Sequence, residues 1–437
     1  MTKIQFFPID FSYETHPNGK PIMQIFGKTL DGRKVCIFDQ NFLPYFYAII
    51  KSNIDDALDK ILGINIVNKD ESYYVIEAQI EQLKFNNKNV KSIKITVNHP
   101  KSIKVVRKFI EDHFNNIDFA ESDITFVRRY ILDKKITPLS LAEVDGDIIE
   151  RSNLAIDFGV KINSIRNIGS EFFDNAKILS FDIEAYTQEK RYPIKEKDPI
   201  VMIAFYGNDG FKKVITWKRF PHSKDMIEFV EDEPSLLRRF ASVINEYRPD
   251  YIVGYFTDGF DFPYIKTRAK KYEVKLNFRN SGLKIIKRGN FGSARIKGIT
   301  HLDIFRFIKA IMSGSLRLEN YSLGTVASEL LNEKKLDTNI EDIGLAWDES
   351  PELLEKFCEY NLKDAELTLK IFEKILPNLN EIVKLVDMPI YDVCRMGYSQ
   401  LVDSYLVKRA PDANLVAFWA ILVARIQSKE VERLGKK

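Results

Sequence analysis

Apolar residues in the first third of the chain come in short runs, PIMQIFGK, KVCIFD and YFYAII, separated by the polar turns HPNGK at 16–20 and LDGRK at 30–34. Runs of this length with glycine-bearing breaks predict β-strands, so residues 1–135 read as a small, largely β domain. KKITPLS, VDGD and RNIGSE follow, and their charges and scattered glycines predict a connector of modest structure over 136–176. From 177 the pattern changes. ILSFDIE, PIVMIAFYG, KKVITWK and YIVGYF alternate with the helical PSLLRRFASVINEY, which predicts an α/β domain with a mixed sheet over 177–375. Its last element is a helix over 351–375, with Pro351 in its first turn and Pro377 just beyond its end. Helical segments fill 376–437.

A chain of 437 residues exceeds the size of a single core, so several domains are expected, and 45% hydrophobic content supplies their interiors. The net charge of +3 is the small difference between 65 basic and 62 acidic residues, and it identifies no partner by itself. Cys36, Cys358 and Cys394 lie far apart without a CxxC pair, which argues against a zinc site or a disulfide framework and for a reducing cytoplasm. The apolar run LVAFWAILVA at 415–424 is about half the roughly 20 residues that a membrane span requires. It predicts a buried helix or a partner surface, and no membrane association.

Candidate chemistry begins in ILSFDIEAYT, where strand alternation sends Asp182 and Glu184 to one face and Ile183 to the other. Two crowded carboxylates repel unless a cation or donors compensate them, or unless the strand is a wet edge. Asp261 follows an apolar strand and a glycine turn, the place where α/β sheets usually bind ligands. Tyr360 and Asp364 are four apart on a helix and so share a face. In order, these residues form the series D-x-E, D, Y-x-x-x-D.

That series resembles the 3′ to 5′ exonuclease domain of family B DNA polymerases, members of the tyrosine-bearing DEDD nuclease superfamily. FDIEAY is similar to the first motif, FTDGFDFPYI to the second and YNLKDAELT to the third. FLPYFYAII, TVNHPKSI and DITFVRRYILD resemble the N-terminal domain of archaeal members, and PIYDVCRMGYSQLVDSYLVKRA resembles the entry to the palm. The resemblance implies a ribonuclease H-like domain that hydrolyses DNA with two Mg²⁺ or Mn²⁺ ions. Such ions, about 3.5 to 4 Å apart, activate a water and stabilise the leaving oxygen, and hard carboxylate ligands suit them. By the same resemblance Asp182 bridges both ions, Glu184 and Asp364 hold the ion on the nucleophile side, Asp261 holds the other through water, and Tyr360 orients the attacking water.

Phe256 and Phe260 of the second motif would meet the primer end, although Phe256 stands where the family usually has asparagine. Motifs similar to the palm's DxxSLYPS and YGDTD do not occur in these 437 residues. Partners are therefore expected to be DNA, as a primer 3′ end and a single-stranded template, and a second chain carrying palm, fingers and thumb. A non-catalytic DNA-binding scaffold and a stand-alone repair nuclease are the alternatives. The archaeal resemblance also implies a uracil-sensing slot at Phe11, Pro44, Tyr45, Ile103, Ile124 and Phe126, with Thr125 in place of the family's proline. The competing expectation is that these six are core residues of a small β domain.

Overall fold

The computed structural model describes residues 2–413, apart from 17–18, 52, 69–70, 86–87, 151–153, 188–190, 280, 289–290 and 334–342. The apolar run at 415–424 and the tail around it lie outside the described residues.

Five strands close a barrel at the N-terminal end, in the order Thr2–Thr15, Pro21–Thr29, Lys34–Asp39, Phe158–Phe172 and Ser140–Ile149. The last two fall in the segment read from sequence as a connector, which is therefore corrected. Ser140–Ile149 pairs antiparallel with the first strand, and Phe158–Phe172 pairs parallel with Lys34–Asp39. Their Val144, Val160 and Ile162 complete an interior with Phe6, Ile25 and Ile37 that the first three strands leave open. The two strands also pair antiparallel with each other, and the charges and glycines along them mask the alternation that would have marked the hairpin.

A second, five-stranded sheet has the order Asn65–Asn68, Glu71–Phe85, Lys88–Val97, Tyr45–Ile50 and Ile117–Ala120. The helices Ile54–Leu62 and Ser102–His113 cover it by burying Ala57, Ile61, Val106 and Ile110 against Phe46, Ile93 and Ile95.

The third unit is a six-stranded mixed sheet ordered Ile227–Phe229, Lys212–Thr216, Ile200–Gly207, Ile178–Ala185, Tyr251–Gly254 and Thr300–Asp303. Helices lie on both faces, as the alternation of strands and helices requires. One face packs on Glu233–Tyr247 and Asp261–Lys271 through Leu236, Phe240, Ile244, Phe262 and Ile265. Asp232 caps the first of these helices by accepting from the Ser235 amide at 2.8 Å. Arg268 and Glu233, both fully buried, tie the two together through a 2.7 Å bond from Arg268 Nε.

The other face is crossed by the long helix Leu354–Val386. Sequence places its end at 375 because proline removes a donor and crowds the preceding turn. The helix runs through Pro377, since Leu379, Val383 and Val386 beyond it are buried in the same core as Leu367, Ile371 and Phe372. Arg128 of the N-terminal region reaches past its end, donating to the Asp387 and Ser404 carbonyls. Among the described residues no helix is long and apolar enough to cross a membrane.

Candidate active site

On strand Ile178–Ala185, Leu179, Phe181 and Ile183 enter the core beneath Phe240 and Phe262. Ser180, Asp182 and Glu184 take the opposite face, toward the long helix. Ser180 Oγ donates to the Ala365 carbonyl at 2.6 Å, which fixes the helix against the strand. One turn earlier, Asn361 Nδ2 donates to Asp182 Oδ2 at 2.8 Å. The alternation read from ILSFDIEAYT is therefore the alternation observed.

These contacts bring Asp364 onto the strand's acids. One carboxylate oxygen each from Asp182, Glu184 and Asp364 lies within 4.8 Å of the other two, and Glu184 and Asp364 are only 7% and 4% exposed. Three hard oxygen donors converging from two elements could hold a metal ion. Tyr360 stands beside them. Burial first, and then the charges of Asp364, Glu184 and Asp182, push its hydroxyl far above the ordinary phenol range, so it stays protonated. It also bonds to Asp364, and so presents a fixed donor at the acid cluster.

Asp261 stands outside this group of three. It opens the helix Asp261–Lys271 and is 3% exposed. Burial pushes its carboxyl up to about 7, while the backbone amides of Asp261 and Ile183 pull in the opposite direction. The Ile183 amide lies between Asp182 and Glu184 in the chain, so Asp261 abuts the acid-bearing strand from its own side.

The loop before Asp261 is held by residues that sequence reading did not single out. Asp303, at the end of the neighbouring strand, accepts from the amides of Phe256 at 3.0 Å and Asp258 at 2.9 Å. Asp258 accepts from Arg395 Nε at 2.8 Å, from Arg306 at 3.3 Å and from the Ala294 amide at 2.7 Å. Burial drives His301 down to about 3, so it is neutral, with Thr257 2.8 Å away and Arg395 3.0 Å away. The available signal was HLDIF, which ends an apolar run in an acid as YIVGYFTDGFD does.

Phe256 itself takes the left-handed conformation, φ 66°, which costs a residue with a Cβ on the order of 1 kcal/mol. Asparagine enters that region far more readily. Phe256 is 43% exposed, and Phe260, the residue before the Asp261 helix, packs on Tyr264 at 5.3 Å.

At the N-terminal positions, Phe11, Ile103, Ile124 and Phe126 are each no more than 7% exposed, and Pro44 is buried. Phe11 and Phe126 share the barrel core, whereas Ile103 belongs to the core of the five-stranded sheet. Tyr45 is half-buried, donates to Asp133 at 2.9 Å and lies under the Arg129 guanidinium.

The family description "DNA polymerase family B, exonuclease domain" matches residues 117–326, a span that contains Asp182, Glu184 and Asp261 and stops before Tyr360 and Asp364. A DNA polymerase of Pyrococcus horikoshii is 31% identical over 411 residues, 94% of this chain and 30% of that protein. DNA polymerase 1 of Pyrococcus abyssi is 31% identical over the same length, 94% of this chain and 48% of that protein. The chain thus spans half or less of the length of these relatives. The solved family B DNA polymerase of Pyrobaculum calidifontis superposes with a TM-score of 0.78 at 22% identity, over 94% of this chain and 51% of that one. The chain thus carries, over residues 117–326, a domain of the family B DNA polymerase exonuclease type, and it aligns along 94% of its length with archaeal DNA polymerases.

Proposed function

We propose that this chain is a metal-dependent 3′ to 5′ exonuclease that removes nucleotides from a DNA primer end, the proofreading portion of a polymerase. The observation that carries this reading is the convergence of Asp182, Glu184 and Asp364 from a strand and a helix onto one point. Divalent cations bound there would activate a water and stabilise the departing 3′ oxygen. Asp182, reached by Asn361, is the acid best placed for a shared ligand, and Glu184 and Asp364 complete the set. The Tyr360 hydroxyl, which donates its proton to Asp364, would orient the attacking water by accepting from it. Asp261, beside the Ile183 amide, would support a second ion.

Nucleotide incorporation is expected only together with a polypeptide that carries palm carboxylates, since these acids serve hydrolysis. The test uses 5′-labelled single-stranded DNA with Mg²⁺ or Mn²⁺, comparing the intact chain with the Asp182→Ala, Glu184→Ala double variant. Stepwise shortening that the double variant lacks supports the nuclease. Equal and complete inertness of both proteins would instead establish a DNA-binding scaffold.

A further inference from the structure

Asp182, Glu184 and Asp364 are placed by the strand and the long helix that carry them, whereas Asp261 follows the turn 255–260 and stands where that turn puts it. What holds the turn therefore holds Asp261. The Gly259 and Phe260 amides close it by donating to the Phe256 carbonyl at 2.9 and 3.0 Å, and the Phe262 amide donates to the Thr257 carbonyl at 3.1 Å. Phe256 sits in the left-handed region at φ 66°, a conformation that persists only where its surroundings enforce it. Asp303 supplies part of that enforcement by accepting from the Phe256 and Asp258 amides.

The rest comes from outside the sheet. Arg395 follows the short helix Ile390–Val393, lies 137 residues beyond Asp258 in the chain, and has a side chain only 7% exposed. Its Nε donates to Asp258 Oδ2 at 2.8 Å and its Nη2 to Asp258 Oδ1 at 3.3 Å, so the pair is bidentate. Nη1 donates to the carbonyls of His301 at 3.2 Å and Tyr391 at 2.8 Å, and Nη2 also reaches His301 Nδ1 at 3.0 Å. All five N–H groups are thereby used. Because arginine only donates, His301 Nδ1 accepts, and the ring proton sits on Nε2, 2.8 Å from Thr257 Oγ1. One guanidinium fixes Asp258 directly and Thr257 through His301.

That guanidinium is itself anchored. Its carbon lies 3.9 Å from the centroid of the Tyr391 ring, and Arg295 lies over the same ring at 4.5 Å. Arg295 in turn donates to Asp10 Oδ1 and to the Phe11 carbonyl of the first barrel strand, both at 2.7 Å.

We propose that Arg395 is a positioning residue of the nuclease: through Asp258, and through His301 and Thr257, it sets the turn that aims Asp261 at the acid-bearing strand. The inference rests on the nuclease reading above and adds to it a residue far from the acid motifs. Lysine would not replace it, since an ammonium has three donors and no planar fork to match a carboxylate.

The test measures degradation of a labelled single strand by the full chain with saturating Mn²⁺, well below the melting temperature of every variant. Arg395→Ala and Arg395→Lys should each lower kcat about 10- to 100-fold, the scale of a small misplacement at a reacting centre, and leave KM for the strand nearly unchanged. The losses in Arg395→Ala and Asp258→Asn should not multiply in the double variant, because both act on one turn. Arg128→Ala is the comparison. That buried arginine bridges the Asp387 and Ser404 carbonyls, so its removal should lower the melting temperature while kcat stays at the wild-type value. Amide exchange over residues 254–265 should quicken in Arg395→Ala and not in Arg128→Ala. Wild-type kcat in Arg395→Ala, or an equal loss in Arg128→Ala, would overturn the proposal while the nuclease reading stands. A wild-type chain that leaves DNA intact with both Mg²⁺ and Mn²⁺ would instead overturn the nuclease reading, and this inference with it.

Discussion

Asp182 and Asp258 both lie in the exonuclease unit, yet their surroundings are opposite in kind. Asp258 is enclosed by fixed protein cations, Arg395 at 2.8 Å and Arg306 at 3.3 Å, and its partner Asp303 spends its oxygens on loop amides. Asp182 faces two other carboxylates and accepts at 2.8 Å from the neutral amide of Asn361. Acids that brace a loop are matched by guanidinium groups that never leave. Acids that meet one another are, on the proposed function, arranged for a cation that exchanges with solvent. The contrast separates architecture from chemistry within one sheet.

The largest expected effect lies on the catalytic side: Asp182→Ala with Glu184→Ala should reduce single-strand degradation by three orders of magnitude or more, with little change in melting temperature. A gel assay and a thermal melt of the same preparation decide it, and a folding defect of matching size would erase the distinction between the two clusters. Next, Arg395→Ala should destabilise the fold by about 1–3 kcal/mol, because it leaves the buried Asp258 carboxylate with Arg306 and the Ala294 amide as its remaining donors. Denaturant titration reads this, and a shift below about 1 kcal/mol would mean that the loop network is not structural. Asn361→Ala should raise the Mg²⁺ or Mn²⁺ concentration for half-maximal activity about 10- to 100-fold, as removal of a partner that orients a metal ligand usually does.

The smallest effect is one of pH. Asp261 holds its proton up to about 7 in the folded chain, above the unfolded value of about 3.9. Its contribution to stability is therefore full below about pH 4 and is lost as pH rises through 7. In EDTA, Asp261→Asn should melt a few degrees above the unchanged chain at pH 8, and the gap should close toward pH 4. An unchanged gap across that range would show that Asp261 does not carry a buried charge.

Most of the site was legible because its signals are local. A period of two put Asp182 and Glu184 on one face, and a spacing of four joined Tyr360 to Asp364. Both survive in the structure because each depends only on the geometry of its own strand or helix. Asn361 was not legible, since an amide next to a tyrosine on a helix carries no pattern. Asp258 escaped notice for a different reason: its compensating Arg395 is 137 residues away in the chain. The strands Ser140–Ile149 and Phe158–Phe172 were hidden for another reason: they pair antiparallel with each other, but charges and glycines along both break the apolar alternation, and the barrel they complete is closed by strands more than 100 residues upstream.

Barrel closure by those late strands governs how the chain must emerge from the ribosome. Thr2–Phe6 waits for Ser140–Ile149, and Lys34–Asp39 waits for Phe158–Phe172. At bacterial or archaeal synthesis speeds that interval is on the order of ten seconds, during which an unfinished sheet exposes a template for aggregation. A nascent chain halted at residue 135 should therefore stay protease-sensitive and chaperone-bound, whereas one halted with residue 172 outside the exit tunnel should resist protease over Thr2–Thr15.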